Sequence, residues 1–296
     1  MFHTETKQRL DMQRLLGHGK FAEVWSGVRC IDGESCAIKC LSTSLFGTFK
    51  NRYQSSLRIE GEPMLLEHLH HPNIIHLFEW FQTSNAVYMV VEFAPAGDMK
   101  HDIIANDAFT QEDARRLFRQ ILAAVRYIHH VRIAHRDMKP ENILLTARDR
   151  SIAIPKLCDF GLARVVLHPH ACLTVCGSAM YLAPEIILIA RGHSSISSMG
   201  YDQRVDMWSL GVTLCVLLWA AEPFSTEHLF DDMVAGHVSF DERPAWVSVS
   251  HIPTKLVRRL LCFAPHARAD AVEASECLDA EPLSSRDEYM ELLPPL

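Results

Sequence analysis

No run of about 20 apolar residues occurs in the 296-residue chain, so no helix is expected to span a bilayer. The longest apolar stretch, roughly 210–221, is short enough to be a buried core helix. Residues 1–10 are polar and lack the apolar core of a signal peptide. Positive charge is scarce too: 29 Lys+Arg stand against 36 Asp+Glu, a net charge of −7. That balance argues against nucleic acid as a partner, which needs a basic footprint, and against an anionic membrane surface. The nine cysteines are an odd number, scattered over a chain too large to need covalent staples. Reduced thiols inside the cell, in cytoplasm or nucleus, are therefore expected. None of the 17 histidines joins cysteines at zinc-finger spacing. Repeats are absent, and low complexity is confined to the Ser-rich stretch 194–198. What the chain does contain is 48% hydrophobic and 22% charged residues, close to an average soluble globular protein. Its length allows two domains, or one bilobal domain with a large core.

The first ninety or so residues read as a small sheet with one helix. Asp32-Gly33 separates two β-type runs, 24–30 and 35–41, which is a hairpin signal. Ser84-Asn85 separates a second pair, 74–81 and 87–93. Between the pairs, 52–69 carries a helical pattern that Pro72 is expected to stop, with Pro63 as a conflict inside it. After Pro95-Ala96-Gly97 the character turns helical. Thr110 followed by Asp113 resembles a capping box, and Ala114, Leu117, Phe118, Ile121, Leu122, Val125 and Ile128 recur at helical spacing behind it. A loop-rich middle runs to about Tyr201, followed by an apolar helix near 205–220 and shorter helices over 227–278.

Four stretches carry chemistry. Gly17-His18-Gly19-Lys20-Phe21-Ala22 lies between two strands; glycines let backbone N–H groups approach phosphates, although a two-glycine hairpin alone fits an ordinary turn equally well. Lys39 follows on a strand, where alternation puts it on one face with Ala37 and puts Cys36, Ile38 and Cys40 on the other. It is either a solvated edge residue or a buried phosphate ligand. A buried ammonium needs a carboxylate, and Glu62 on the next helix is the candidate. His135-Arg136-Asp137-Met138-Lys139-Pro140-Glu141-Asn142, ahead of an apolar strand, gathers a carboxylate base, a cation and a metal-ligating amide in one loop. Asp159-Phe160-Gly161 follows a further β-like run, 155–158.

In their order these motifs resemble the eukaryotic protein kinase family, of the serine/threonine type, from about Leu10 to Leu283. Gly177-Ser178-Ala179-Met180-Tyr181-Leu182-Ala183-Pro184-Glu185, Asp206-Met207-Trp208 and Arg268 extend the match. The resemblance implies an α+β fold in two lobes. A small antiparallel sheet with one helix would cover 10–93, a connector about 92–97, and a larger, mainly helical lobe 98–283, leaving a tail at 284–296. ATP would lie between the lobes.

The resemblance also implies roles. The loop at Gly17 and Gly19 would cover the ATP phosphates, and Lys39, held by Glu62, would bind two of them. Glu62 is preferred to Glu60 because the family's glutamate lies ten residues before the proline of His-Pro-Asn, here Pro72. Asp159 and Asn142 would ligate Mg²⁺. Asp137 would accept the proton of the substrate hydroxyl while Lys139 steadies the phosphoryl group. Leu16, Val24, Ala37 and Leu144 would wall the adenine site, with backbone hydrogen bonds from Glu92 and Ala94. Lys139 and Ser178 imply Ser/Thr acceptors in protein substrates, and Asp98 and Glu141 a basic residue upstream of the acceptor. Thr174, phosphorylated by another kinase or by the chain itself, would pair with Arg136. Glu185 and Arg268 would form a buried ion pair. The segment 174–185 is similar to the calmodulin-dependent kinase group, and the stretch 189–201 to checkpoint-effector kinases. The alternative is a pseudokinase, a nucleotide-binding scaffold or allosteric partner, to which Ala22, Pro63 and Ala264 point.

Overall fold

The computed structural model describes residues 10–18, 22–42, 61–168, 172–192, 200–224, 228–235 and 251–280. Gly19, Glu60, the Ser-rich stretch, the first half of the 52–69 pattern and the 284–296 tail lie outside them. The chain divides into two compact units, one running to Gly97 and including Leu144–Leu162, the other formed by the rest.

The first unit is built on a five-stranded antiparallel sheet: β1 (Leu10–His18), β2 (Ala22–Arg29), β3 (Ser35–Ser42), β4 (Leu77–Gln82) and β5 (Ala86–Glu92). Its strand order is β1-β2-β3-β5-β4. Both expected hairpins are present, and the register fixes the faces. Val24 pairs with Lys39 and Lys39 with Met89, while Ala37 pairs with Val91. Directly opposed residues share a face. The opposite face buries Leu10, Cys36, Ile38, Tyr88 and Val90 together, with Trp25, Phe78 and Phe81 packed on them. The Arg29 guanidinium lies 3.9 Å from the centre of the Phe78 ring. Burial pushes the Cys36 and Cys40 thiols up, to about 11 and about 12.

Helix α1 spans Gly61–Leu66. Pro63 falls in its first turn, where a missing N–H breaks no helical bond, so the conflict read from the sequence is absorbed without a kink. The helix stops well before Pro72: His68 and Leu69 already make tight turns back to Leu65 and Leu66. The strand expected from 74 begins only at Leu77, because Ile74 is bridged to Leu157 instead. That bridge belongs to the short hairpin of Ile143–Leu145 with Pro155–Leu157. Its attachment to the first unit is made of backbone. Leu157 donates to Asn73 O at 2.8 Å, Ile75 to Leu157 O at 2.9 Å and Leu145 to Gly97 O at 2.8 Å.

The second unit is mainly helical. Its described helices are α2 (Met99–Asn106), α3 (Gln111–His130), α4 (Pro184–Ala190), α5 (Arg204–Trp219), α6 (Leu229–Ala235), α7 (His251–Leu260) and α8 (Ala271–Asp279). Every residue of the α3 stripe anticipated from spacing is buried. Thr110 caps α3, accepting from Asp113 N at 3.1 Å. The Asp113 carboxylate does not complete the box; it takes the Thr110 hydroxyl at 2.8 Å, one methylene too short for the glutamate's usual return bond. Helix α5 is buried on all sides, as a core helix must be. Gly211 permits its contact with α7, since a Cβ there would stand 2.8 Å from Leu261 Cδ2 and 2.9 Å from Leu260 Cβ. Among the described residues no helix is long and apolar enough to cross a membrane.

Candidate active site

Two clusters hold the chemistry-bearing residues, one in each unit. In the first, Lys39 Nζ sits 2.8 Å from both oxygens of Glu62 and 2.8 Å from Asp159 Oδ1. Burial alone would depress the lysine. Glu62 and then Asp159 outweigh it and hold Lys39 above the ordinary lysine range, so it stays an ammonium. Glu62 is buried, whereas the Asp159 side chain is 47% exposed. Asp159 has a left-handed backbone (φ 60), which aspartate tolerates better than most residues. Gly161, two residues on, stands close to both carboxylates. A Cβ on Gly161 would lie 3.3 Å from Asp159 Oδ1 and 3.5 Å from Glu62 Oε2.

The other residues anticipated for nucleotide binding belong to the same unit. Val24 and Ala37 share the Lys39 face of the sheet. Leu16 lies where the β1–β2 register slips, between Leu15 and Gly17. Leu144 is half-buried in the short hairpin. At the connector, Ala94 is buried. Glu92 is fastened through its side chain, with Lys156 Nζ at 2.7 Å and His76 N at 3.3 Å. Its own N–H donates to His76 O at 2.8 Å.

In the second unit the buried Asp137 carboxylate gathers four donors. Oδ1 accepts the Ser178 N–H at 3.0 Å and the Ser178 hydroxyl at 2.9 Å. Oδ2 accepts Asn142 Nδ2 at 2.9 Å and Lys139 Nζ at 2.8 Å. Lys139 also donates to Ser178 Oγ at 2.7 Å. Asn142 Nδ2 binds the Asp137 carbonyl as well, at 2.7 Å, so its Oδ1 is the acceptor end of the amide.

The loop is held from below by Asp206, which is fully buried on α5. Its oxygens accept His135 N at 2.9 Å, Arg136 N at 2.7 Å and the His129 ring at 2.9 Å. Burial acts to raise this carboxyl, but the His129 hydrogen bond and charge, with His135 and the Arg136 N–H, hold it below its usual range. The bonds to His135 and Arg136 impose an unusual backbone, with Arg136 at φ 69.

The family described as protein kinase domain matches residues 10–279. The chain belongs to the protein kinase family. Myosin light chain kinase A of Dictyostelium discoideum is 31% identical, over 92% of this chain and 88% of its own length. A probable serine/threonine-protein kinase of the same organism, fhkE, is 37% identical over 86% of this chain. Human serine/threonine-protein kinase H1 is 34% identical over 92% of it. The chain spans only about a third of the length of fhkE and 61% of that of kinase H1.

The chain thus brings Lys39, Glu62 and Asp159 together in one cluster, and Asp137, Lys139 and Asn142 in the other. Gly17 is the last residue but one of β1, with open space where a Cβ would stand, and Gly19 lies outside the described residues. The donor sets suit the groups that the family uses. An ammonium kept charged by two carboxylates suits a nucleotide phosphate, and the Asp159 carboxylate and the Asn142 amide oxygen are hard donors of the kind Mg²⁺ takes. Asp98 proves to be a capping residue. Its oxygens accept His101 N at 2.9 Å and meet the His101 ring at 2.6 Å. The buried pair of Glu185 and Arg268 is present, at 2.8 and 3.0 Å.

Sequence reasoning missed three partners: Ser178 as a donor to Asp137, Asp159 as a second carboxylate on Lys39, and His129 on Asp206. The last had a readable signal, since a histidine eight residues before Asp137 ends the amphipathic stripe of α3.

Proposed function

We propose that the chain is an ATP-dependent serine/threonine protein kinase, transferring the γ-phosphoryl group of ATP to Ser or Thr hydroxyls of protein substrates. The observation that carries this is the Asp137 cluster: a buried carboxylate oriented by four donors, with a lysine ammonium beside it. ATP would supply the phosphoryl group, and Mg²⁺, when bound, would neutralise charge on the phosphates. Lys39 binds phosphate oxygens, and Glu62 keeps it extended and charged. Asp159 and Asn142 hold the cation. Asp137 orients the acceptor hydroxyl and takes its proton, and Lys139 offsets the charge on the transferred group. Leu16, Val24, Ala37 and Leu144 flank the base, which the Glu92 carbonyl and the Ala94 backbone orient.

Asp98 is occupied as a cap, so a preference for a basic residue upstream of the acceptor is assigned chiefly to the exposed Glu141. Phosphorylation of Thr174, by another kinase or by the chain itself, raises activity through Arg136. Membership of the calmodulin-dependent group rests on the resemblance of 174–185. A reducing compartment, cytoplasm or nucleus, rests on the odd and scattered set of nine cysteines in the sequence.

ADP release, measured with and without a protein substrate and compared with Asp137→Asn, tests the proposal. Release that rises with protein and is lost in the variant is expected. No ADP release from the parent, with nucleotide still bound, would make the chain a nucleotide-binding scaffold instead.

A further inference from the structure

Tyr201 stands outside the chemistry just described, yet one hydroxyl ties two parts of it together. The ring is 2% exposed. Its hydroxyl accepts from Arg136 Nη1 at 3.2 Å and donates to the Thr174 carbonyl oxygen at 2.6 Å. Cys176 Sγ lies 3.7 Å from the Tyr201 hydroxyl oxygen. The Tyr201 backbone adds a two-way bridge to Cys172, with its N–H 2.8 Å from Cys172 O and the Cys172 N–H 3.1 Å from Tyr201 O. Segment 172–176 is thereby fastened at two levels. It runs directly into Gly177 and Ser178, and Ser178 gives Asp137 two of its four donors. The other end of the relay is equally short, since Arg136 is the residue before Asp137.

We propose that the Tyr201 hydroxyl is a positioning group that holds the activation segment on Arg136 while Thr174 carries no phosphate, and so sets the basal activity of the kinase. The inference rests on the kinase activity proposed above and adds a regulation of the same site. It follows from which atoms are used. The anchor takes the backbone carbonyl of Thr174, so it is indifferent to the Thr174 side chain and survives Thr174→Ala. A phosphate on Thr174 brings a second, charge-assisted anchor to the same guanidinium. The two anchors are partly redundant, and the loss of one shows fully only when the other is missing. Arg136 has a stake in this as a buried cation, because removing the hydroxyl takes away an acceptor from a guanidinium that solvent barely reaches. One hydrogen bond to a charged group and one to a carbonyl correspond to roughly a tenfold or larger effect on the ordered population.

The test uses the full chain, with Thr174 either unphosphorylated or carrying a genetically encoded phosphate. Parent, Tyr201→Phe, Thr174→Ala and the double variant are compared by kcat and KM, by amide hydrogen exchange at 172–178 and by thermal midpoint. Phe keeps the ring and its packing. Without phosphate, Thr174→Ala is expected to stay within twofold of the parent. Tyr201→Phe is expected to lose about tenfold or more in kcat, with little change in KM for ATP and faster exchange at 172–178. Phosphate on Thr174 should then restore Tyr201→Phe to within a few-fold of the parent, a rescue that a packing defect would not show. Unchanged kcat and exchange in Tyr201→Phe, or a loss that phosphate does not repair, overturns the proposal. Should the parent release no ADP, the kinase activity itself fails and the exchange decides alone: faster exchange in Tyr201→Phe upholds the anchor, and unchanged exchange refutes it.

Discussion

Glu185→Gln is a change of one atom type at a site that the structure describes completely. Arg268 is wholly buried, and each of its five guanidinium N–H groups has an acceptor. Nη1 reaches Glu185 Oε1 and Arg204 O, both at 2.8 Å; Nη2 reaches Glu185 Oε2 at 3.0 Å and Phe263 O at 3.3 Å; Nε reaches Cys262 O at 3.0 Å. The Trp208 ring covers it at 5.3 Å. Glutamine keeps the shape and one acceptor but removes the only carboxylate that this cation touches in the described structure, and it turns an NH₂ toward a donor. Breaking one side of a buried pair costs about 3–5 kcal/mol, because the remaining charge is desolvated without compensation. The three carbonyls that stay in place favour the lower end, about 3 kcal/mol. Urea unfolding followed by tryptophan fluorescence should therefore show a lower midpoint at an unchanged slope. Replacing both partners with apolar residues of similar volume, as in Glu185→Leu with Arg268→Met, should recover most of the loss. A Glu185→Gln cost below about 1 kcal/mol would refute the reasoning, since it would mean that solvent or the carbonyls alone satisfy the cation.

Three further outcomes are expected. Gly177→Ala should lower kcat about tenfold or more while costing about 1–3 kcal/mol of stability, because φ is +112 there and the new Cβ would stand 2.8 Å from the Arg136 carbonyl, beside Ser178. Steady-state kinetics with a urea titration of the same sample would check it. Asp206 has a lowered folded-state pKa, so its contribution to stability is full above the unfolded value of about 4 and is lost as pH falls through the folded one. Asp206→Asn should thus flatten the acid limb of the stability–pH curve below about pH 4, and an unaltered limb would count against that. Gly211→Ala should cost about 1–3 kcal/mol by forcing α5 and α7 apart, readable as a lower thermal midpoint.

Local signals in the chain were strong wherever one side chain's place follows from its neighbours in sequence. The α3 stripe, the Asp32-Gly33 hairpin and the division of Lys39 and Cys40 between two faces of β3 all follow from periods of 3.6 and 2, which no tertiary contact can alter without breaking the element. Boundaries were less legible. Ile74 reads as strand, yet a bridge to Leu157, more than eighty residues away, takes its backbone out of β4. Pro63 reads as a breaker only until the helix start is known, because the same ring is harmless in a first turn.

The site divides along the same line. Residue identities and order were enough to single out Lys39, Glu62, Asp137, Lys139, Asn142 and Asp159 as candidates and to show the likeness to the protein kinase family, since charge, donor type and loop spacing are properties of the sequence. Tertiary structure alone decided what those groups hold on to. Ser178 on Asp137, Asp159 on Lys39, His129 on Asp206 and Tyr201 between Arg136 and Thr174 are contacts across tens of residues. Where the groups are buried, as at Asp206, Asp137, Arg136 and Tyr201, little or no water is there to bond, so each polar atom must find its partner wherever the fold brings one within 3 Å or so.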